Sequence, residues 1–475
     1  MDRRRFLLTS TLAAGAALSG LPACSRPSAQ GASTTMLDPE IAELQERTFR
    51  WFWDVTPHET GLTPDRAPSL SFCSVAAVGD ALTCWPIGIE NGWITREQAR
   101  ERTLNTMRFF HDAPQGPEAR GVTGYKGFFY HFLEMDTGHR FGTTELSTVD
   151  TALLVAGMLF AARYFDQDHA DEAEIRRLAE AVYARVEWPW AQPYGDAYIT
   201  MGWHPESGFI EHRWEGYNEA MLVILLAMGS PVHPVGPEAW TTWCSTYDTL
   251  SWTDRWGEPH LQFAPIFGHQ YSHKWVDFRG IRDAYMQDKG FDYFENSRRA
   301  AYAQQAYARS NPGGWAGYSD EVWGLTACDG PGDFTLDIAG RERKFFSYSA
   351  RGPGERDDGT IAPTAAAASI AFAPEIVVPC IKAIKARYPH TYTDYGFLDA
   401  FNPTLTDTGG RELLHGSVDP ERGWVADEHL GIDQGPIVIM IENHRSDLVW
   451  RLMRTDPHLR RGLERAGFTG GWLDA

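Results

Sequence analysis

The sequence predicts an all-α protein, an (α/α)6 barrel in which an outer ring of helices surrounds an inner one. About twelve helix signals recur along the chain, and no block rich in strands interrupts them. Fully apolar helical segments, at residues 153–160, 220–228 and 437–441, alternate with amphipathic segments. Because an all-apolar helix is buried whereas an amphipathic helix has one face in solvent, this alternation indicates two concentric rings.

The first helix is expected at residues 38–53, where Asp38-Pro39 supplies an N-cap and a first-turn proline. Thr95 and Gln98 form a capping box that starts a helix over 95–111. Further helices are predicted at 71–89, 145–165, 171–187, 211–229, 237–247, 273–288, 291–309, 363–372, 374–388 and 436–453. A region rich in glycine and aromatic residues, 311–359, holds short strands at 334–338 and 344–349, and such loops would build a site at one rim.

The N-terminus predicts export. A run of arginines, Arg3 to Arg5, precedes Phe6 and a short apolar stretch, which is typical of a twin-arginine signal and too short for a membrane span. Leu21-Pro22-Ala23-Cys24 is similar to a lipobox, so Cys24 is a candidate lipid anchor. We therefore expect a signal at 1–24, a flexible tether at 25–36, and one domain at 37–475 of a periplasmic, monomeric protein.

Charge and composition exclude several classes of partner. The net charge is −20, and removal of the leader, with its three arginines and one aspartate, would bring it to −22. Such a chain is unsuited to binding nucleic acid or a uronate polymer. Aromatic residues make up 13% of the chain, with 18 tryptophans. Sugar rings stack on aromatic faces, so this composition suits a carbohydrate cleft, although large cores also use tryptophan.

The cysteine pattern predicts neither a zinc ribbon nor a disulfide scaffold. Five cysteines follow Cys24; the number is odd, and they are widely spread without CxxC spacing. Small buried apolar side chains are the favoured interpretation, with a Cys73–Cys84 bridge as the alternative. His269 and His273 have no third ligand at a convincing spacing, so no metal site is expected. No cofactor motif of the GxSxG, Walker or GxGxxG type occurs in a strand–helix context.

The strongest chemical signal is the run EHRWEGYNEAMLVILLAMG at residues 211–229. Glu211, Glu215 and Glu219 would lie on one face of a helix if the helix extends that far back. Glu219 stands where the apolar residues begin, so burial would raise its pKa and favour a general acid. Tyr217 would line the same pocket, and Glu215 could bind sugar hydroxyls.

Two more carboxylates stand at the starts of buried helices. Asp150 shares a helix face with Leu146 and Leu154, and Asp433 precedes Pro436 in the run GIDQGP. Each has a plain alternative role as a helix cap or helix-dipole partner. Two carboxyls across a pocket, one protonated and one ionised, are what glycoside hydrolysis requires. Their separation, roughly 5–5.5 Å for retention and roughly 6.5–9.5 Å for inversion, is a property of the fold.

Further sugar contacts are expected where hydrogen-bonding and aromatic residues mix. Residues 269–279 combine both kinds and supply three candidates, and the long loop supplies two more, for which turn chemistry is the alternative. These candidates are His269, Tyr271, Arg279, Asp320 and Trp323.

Eight runs of the sequence resemble glycoside hydrolase family 144, which has a glycoamylase-like domain, over residues 41–475. They are ELSTVDTALL, GYNEAMLVILLAMGSPVHP, FGHQYSHKWVDFRG, KGFDYFENSRRAAYAQ, EVWGLTACDGPG, DDGTIAPTAAAASIAFAPE, YGFLDAFNP and GIDQGPIVIMIENHR. The resemblance implies an (α/α)6 barrel, no metal or cofactor, and an inverting mechanism. It implies Glu219 as the acid, Asp433 or Asp150 as the base, with Asp433 slightly favoured, and Glu145 as a third carboxylate near the site.

The resemblance implies that the protein is an endo-β-1,2-glucanase, and the N-terminal signal implies that it is exported. The nearest alternative is an exo-acting enzyme that releases sophorose from β-1,2-glucooligosaccharides. Two alternatives belong to other classes: a polysaccharide lyase, which the acidic charge disfavours, and a glycan-binding lipoprotein without catalysis.

Overall fold

The structure, a computed structural model, describes residues 35–69 and 71–474. Its α-helices are α1 (Pro39–Val55), α2 (Val75–Glu90), α3 (Arg96–Asp112), α4 (Thr148–Tyr164), α5 (Ala170–Ala184), α6 (Met221–Gly229), α7 (Glu238–Cys244), α8 (Ala284–Lys289), α9 (Tyr293–Ser310), α10 (Pro363–Ala367), α11 (Pro374–Arg387), α12 (Gly431–Ser446), α13 (Leu448–Met453) and α14 (Pro457–Arg465). The predicted caps are present: the Asp38 side chain accepts the Glu40 N–H, and Thr95 and Gln98 form the capping box.

The inner ring contains α2, α4, α6, α10 and α12, whose residues are almost all buried. Helices α2, α4 and α6 contact in succession, and α12 contacts both α10 and α2. Two consecutive 3₁₀ turns, Ile266–His269 and Ser272–Lys274, fill the sixth position. Ser272 donates a hydrogen bond to the carbonyl of Glu219 beside α6, and Gln270 donates one to Ala365 of α10, which closes the ring.

The outer ring consists of α1, α3, α5, α7, α9 and α11, and each packs on its inner neighbour in the chain. Helix α14 covers α6 from outside. Each outer helix returns the chain to the same rim, so the inner helices are parallel and begin at one end of the barrel. The prediction of an (α/α)6 barrel is confirmed.

The contact between α2 and α4 brings two backbones together. A Cβ on Gly79 would lie 2.3 Å from the Leu153 carbonyl oxygen, and a Cβ on Gly157 would lie 2.1 Å from the Gly79 carbonyl oxygen. These distances are shorter than any real Cβ contact, so only glycine fits. The approach fixes the start of α4, and therefore Asp150, against the inner face of the ring.

The strands are short and lie in loops at the ends of the helices. The largest sheet joins β3 (Gly124–Tyr125), β4 (Phe128–Tyr130), β6 (Leu146–Ser147), β7 (Gly202–His204) and β8 (Gly208–Phe209), in that order and all antiparallel. The other antiparallel pairs are β1 (Arg66–Ala67) with β20 (His429–Leu430), β2 (Cys73–Ser74) with β5 (Phe132–Leu133), β9 (Trp252–Thr253) with β10 (His260–Leu261), β11 (Ala327–Cys328) with β14 (Ser349–Ala350), β12 (Phe334–Ile338) with β13 (Arg341–Phe345), β15 (Tyr392–Thr393) with β16 (Gly396–Phe397), and β19 (Gly423–Val425) with both β17 (Phe401–Asn402) and β18 (Ser417–Asp419).

Four predicted helices differ from the structure, and one of them, expected at 363–372, ends at Ala367. The helix expected at 211–229 begins at Met221, because residues 211–219 form turns and Arg213 pairs with Thr200. Most of the helix expected at 273–288 is irregular, since the buried Asp277 binds both its neighbour Arg279 and the distant Arg454, and this tertiary demand overrides local propensity. The last helix begins at Gly431 and is divided at Asp447, whose φ is +63°.

The cysteines of the described chain are all free. Cys73, Cys84, Cys328 and Cys380 are buried and Cys244 is partly buried, so the alternative of a Cys73–Cys84 bridge is wrong. Within residues 35–69 and 71–474, no cluster of three or more metal-binding side chains occurs. In the same ranges, no helix is long and apolar enough to cross a membrane. The predicted signal, lipobox and most of the tether lie outside the described residues.

Candidate active site

The three predicted catalytic carboxylates lie at the N-terminal ends of inner helices. Asp150 is in the first turn of α4, Glu219 directly precedes α6, and Asp433 is in the first turn of α12. The parallel inner helices bring these ends to one rim, where the helix dipoles favour negative charge. The charge of Asp150 acts on Glu219, and the charges of Asp433 and Glu219 both act on the Tyr271 phenol. The structure thus brings the three together.

Glu219 is fixed through its backbone, whereas its carboxyl group is free. Its carbonyl accepts a hydrogen bond from Ser272 Oγ at 3.0 Å. Its Oε2 atom is buried and has no hydrogen-bond partner among the described residues. Burial, reinforced by the charge of Asp150, raises the pKa of Glu219 from 4.5 to about 7. A carboxyl with this pKa holds a proton near neutral pH, as a general acid must.

The predicted helical row of three glutamates is wrong, because the segment before Met221 is not helical. Glu211 and Glu215 are exposed. Glu215 therefore stays a predicted sugar contact, located at the edge of the site. Tyr217 is buried and its ring packs against Tyr293 and His269. It is part of the core behind Glu219 and does not form an open pocket wall.

Asp150 belongs to a chain of three charged groups. His131 Nδ1 lies 2.7 Å from Glu145 Oε1, and His131 Nε2 lies 3.5 Å from Asp150 Oδ1. Burial lowers the pKa of His131, but the charge of Asp150 and the bond to Glu145 outweigh this and raise it to about 9. The other Asp150 oxygen accepts a hydrogen bond from Ser147 Oγ at 2.5 Å. Both oxygens of Asp150 are therefore engaged.

Asp433 belongs to a cluster of acids. Burial and the neighbouring charge of Asp399 raise the pKa of Asp433 well above its usual range, and burial together with the charge of Asp329 raises that of Asp399 to about 7. Asp399 Oδ2 accepts the backbone N–H of Asp329 at 2.7 Å. Asp433 Oδ2 is buried without a hydrogen-bond partner among the residues the structure describes. Two buried acids so arranged share one proton near neutral pH.

Arg66 supplies the positive charge of this cluster. Its Nη1 lies 2.9 Å from Asp329 Oδ2, and its Nε lies 3.1 Å from Asp65 Oδ2. The Arg66 side chain is 19% exposed and Asp329 is fully buried, so the pair is partly shielded from water and salt. This cation places a positive charge against Asp329 and Asp65 at the edge of the acid cluster.

Four of the other predicted sugar contacts lie away from this centre. Arg279 binds Asp277 and Asp447, and Asp447 caps the opposite end of α12, so we no longer assign Arg279 to the site. His269 is a buried core residue: burial lowers its pKa well below 6.5, and its Nε2 accepts the Phe263 N–H. Trp323 is fully buried against α11, and Asp320 is exposed in the loop before it.

Sequence reasoning missed several members of the centre. Asp329 and Asp399 stand within two of the runs that resemble a known family, EVWGLTACDGPG and YGFLDAFNP, so a closer reading of those motifs could have found them. His131 lies in an aromatic loop and Arg66 in a loop before α2, and neither has a sequence pattern that signals its role.

A cavity of about 1010 Å³ lies beside the carboxylate centre rather than over it. Trp51, Phe72, Phe141 and Tyr395 contribute aromatic walls, and Arg66 extends from its lining to Asp329. The acidic residues of its lining, Glu134, Asp136, Asp394 and Asp427, are exposed. The capacity for acid–base chemistry therefore belongs to the carboxylate centre, where the pKa values of Glu219 and Asp399 are raised to about 7.

Fold and site together define a double-ring helical barrel with a carboxylate centre at one rim. The Glycoamylase family model, described as "Putative glucoamylase", matches residues 211–457, and the chain belongs to this family. A crystal structure described as a putative glucoamylase from Bacteroides uniformis is 30% identical, has a TM-score of 0.78, and matches over 92% of this chain and 100% of its own.

Two further relatives carry more specific names. An endo-beta-1,2-glucanase from Chitinophaga pinensis, solved with sophorotriose and glucose, is 25% identical with a TM-score of 0.76, over 92% of this chain and all of its own. An exo beta-1,2-glucooligosaccharide sophorohydrolase from Parabacteroides distasonis is 29% identical over 466 residues. That match covers 90% of this chain but 58% of the relative, so the chain spans little more than half of the relative's length.

The raised pKa of His131 predicts a pH-dependent stability. A histidine protonated in the fold stabilises it fully below the ordinary pKa of 6.5, and the contribution is lost as pH rises towards about 9. We expect the free energy of unfolding, measured with urea, to fall between pH 6.5 and 9 more steeply in the wild type than in His131→Gln.

His212→Gln is the matched control, since His212 is exposed. It should keep the wild-type pH slope. Equal slopes in His131→Gln and the wild type, or an NMR titration of His131 near its ordinary value, would contradict the charged bridge.

Proposed function

We propose that this chain is a β-1,2-glucan hydrolase of glycoside hydrolase family 144 that inverts the anomeric centre. The observation that carries the proposal is the buried Glu219 carboxyl, with a pKa near 7, placed at the rim that also bears Asp433. The relatives named for β-1,2-glucan and its oligosaccharides support the substrate. The motifs GYNEAML and GIDQGP, which resemble that family, contain both acids.

In the proposed reaction Glu219 donates its proton to the glycosidic oxygen. Its Oε2 is free of hydrogen bonds to the described residues, so a substrate oxygen can take that place. Loss of the proton leaves a carboxylate near Asp150, and the repulsion between the two negative charges raises the proton affinity of Glu219, so Glu219 reprotonates readily. General acid catalysis of this kind contributes about 10²–10⁴-fold.

Asp433 is the better candidate for the general base. Its Oδ2 has no partner among the described residues, whereas both Asp150 oxygens are engaged by Ser147 and His131. When the proton of the acid pair resides on Asp399, Asp433 is ionised and can take a proton from the attacking water. Its raised proton affinity makes it a stronger base in that state.

Endo action is the leading proposal, and exo action that releases sophorose is the second candidate, favoured by the sophorohydrolase relative. With linear β-1,2-glucan, we expect a mixture of product sizes within the first minutes, and NMR should show the inverted α-anomer first. A single disaccharide from the start would instead establish exo action. Unsaturated products would indicate a lyase.

Glu219→Gln is the control that separates catalysis from binding. It preserves shape but has no proton to donate, so turnover should fall at least about a hundredfold while glucan binding persists. Full activity in this variant would remove Glu219 from the mechanism. Absence of hydrolysis of β-1,2-, β-1,3- and β-1,4-glucans by the wild type, with retained binding, would favour a glycan-binding protein.

The two candidate bases can be distinguished by parallel substitutions. Asp433→Asn should reduce kcat by about 10²–10⁴-fold, because an amide cannot accept the proton of water. Asp150→Asn should act chiefly on Glu219, by removing a negative charge that raises its pKa, and so move the basic limb of the pH–rate profile to lower pH. The reverse pattern would make Asp150 the base.

We also propose that residues 1–24 direct export by the twin-arginine route to the periplasm, where Cys24 is lipidated and the domain acts as a monomer. The run from Arg3 to Cys24 supports this proposal. Expressed in a Gram-negative host, the full chain should appear in the membrane fraction and incorporate labelled fatty acid. Cys24→Ala should abolish the label; a labelled Cys24→Ala chain, or a cytoplasmic wild type, would contradict the proposal.

A further inference from the structure

Tyr348 is a partly exposed aromatic residue next to the acid cluster. It is 49% exposed and lies between the hairpin β12–β13 and strand β14. Strands β11 and β14 pair Cys328 with Ser349, so the antiparallel register puts Tyr348 opposite Asp329 of the acid cluster. Burial and the charges of Asp433, Asp399 and Asp65 raise the pKa of the Tyr348 phenol. About half of the side chain is open to solvent, and its backbone lies beside the carboxylate centre.

The segment that carries Tyr348 is held rigidly by a buried guanidinium group. Arg351 is fully buried and donates hydrogen bonds to the carbonyls of Phe346 and Ser347 at 3.1 Å each, and of Ser349 at 3.2 Å. Asp358 binds the same guanidinium at 2.8 and 2.9 Å. The backbone on both sides of Tyr348 is thus fixed, so little conformational entropy remains to be lost when a ligand contacts the ring.

The same guanidinium connects this segment to the acid cluster. Arg351 Nη1 donates to the carbonyl of Cys328 at 2.8 Å. The next residue, Asp329, donates its backbone N–H to Asp399 and binds Arg66. Tyr348 and the Asp399–Asp433 pair therefore belong to one frame, and the distance between the ring and the acids is set by a few strong hydrogen bonds.

A simpler interpretation is that Tyr348 packs the hairpin. Packing does not account for a half-exposed ring placed opposite Asp329 of the acid cluster, where the charges of three carboxylates raise the pKa of its phenol. An amphipathic ring with one open face and one polar end is suited to a sugar, which presents an apolar C–H face and a rim of hydroxyls.

We infer that Tyr348 contacts the sugar unit bound next to Asp433, with its ring against the pyranose face and its phenol donating a hydrogen bond to a sugar hydroxyl. This inference rests on the proposed glucan hydrolase function. It assigns to the residue a role in substrate positioning, since Tyr348 transfers no proton in the reaction.

The test compares Tyr348→Ala and Tyr348→Phe with the wild type on β-1,2-glucan. Tyr348→Ala should raise KM about tenfold, the effect of losing one aromatic contact, with a smaller change in kcat. Tyr348→Phe keeps the ring and should raise KM about threefold, the effect of one lost hydrogen bond to a neutral group. Binding of oligosaccharide to these variants in the Glu219→Gln background, measured by calorimetry, should weaken by the same factors.

Tyr302 provides the matched control. It lies on outer helix α9 with its phenol bonded to Glu375, remote from the carboxylate centre, so Tyr302→Ala should leave KM unchanged. Thermal unfolding of each variant checks folding, and Tyr348→Phe, which removes one oxygen atom, remains informative if Tyr348→Ala is unstable. Wild-type KM and oligosaccharide affinity in both Tyr348 variants would overturn the inference while leaving the function intact. A wild type that neither cleaves nor binds any β-glucan would overturn the proposed function and the inference with it.

Discussion

The structure depends on one constraint: carboxyl groups at the starts of the inner helices are buried and separated from water. Parallel helices concentrate positive dipole ends at one rim, and the rim attracts acids. Burial then opposes their ionisation, so that the pKa values of Glu219 and Asp399 rise to about 7 and that of Asp433 rises well above its usual range. Dipole and burial act in opposite directions, and their balance gives the centre both protonated and ionised groups at the same pH.

Two cations make this concentration of acids compatible with folding. Arg66 neutralises Asp329 at the edge of the cluster, and His131 bridges Glu145 and Asp150 on the other side. A third buried pair, Lys274 with Asp80, lies inside the ring, where both side chains are inaccessible. Removing one partner of such a pair would leave an uncompensated buried charge, which is far more costly than the pair itself. The acids of the rim are tolerated because these cations are in place.

The ring architecture was predictable because a helix without a polar face must be buried on all sides. The all-apolar segments at 153–160 and 220–228 have no polar face. Glu219, Asp150 and Asp433 could be singled out as candidates because each carboxyl stands at the start of a buried helical segment. The irregular path at 273–283 was not predictable, since it depends on the contact of Asp277 with Arg454, which is distant in sequence. Three residues, Arg66, His131 and Tyr348, belong to loops whose positions are set by long-range contacts. The hydrophobic periodicity of the sequence does not indicate such contacts.

The hydrogen bond from Ser272 to the carbonyl of Glu219 has a further consequence. It fixes the main chain of the acid, whereas Oε2 of the side chain bonds to none of the described residues. The placement of the acid and the contacts of its proton-bearing oxygen therefore depend on different bonds of one residue. A substrate oxygen can take the proton at Oε2 without breaking the bond that holds the main chain to the barrel wall.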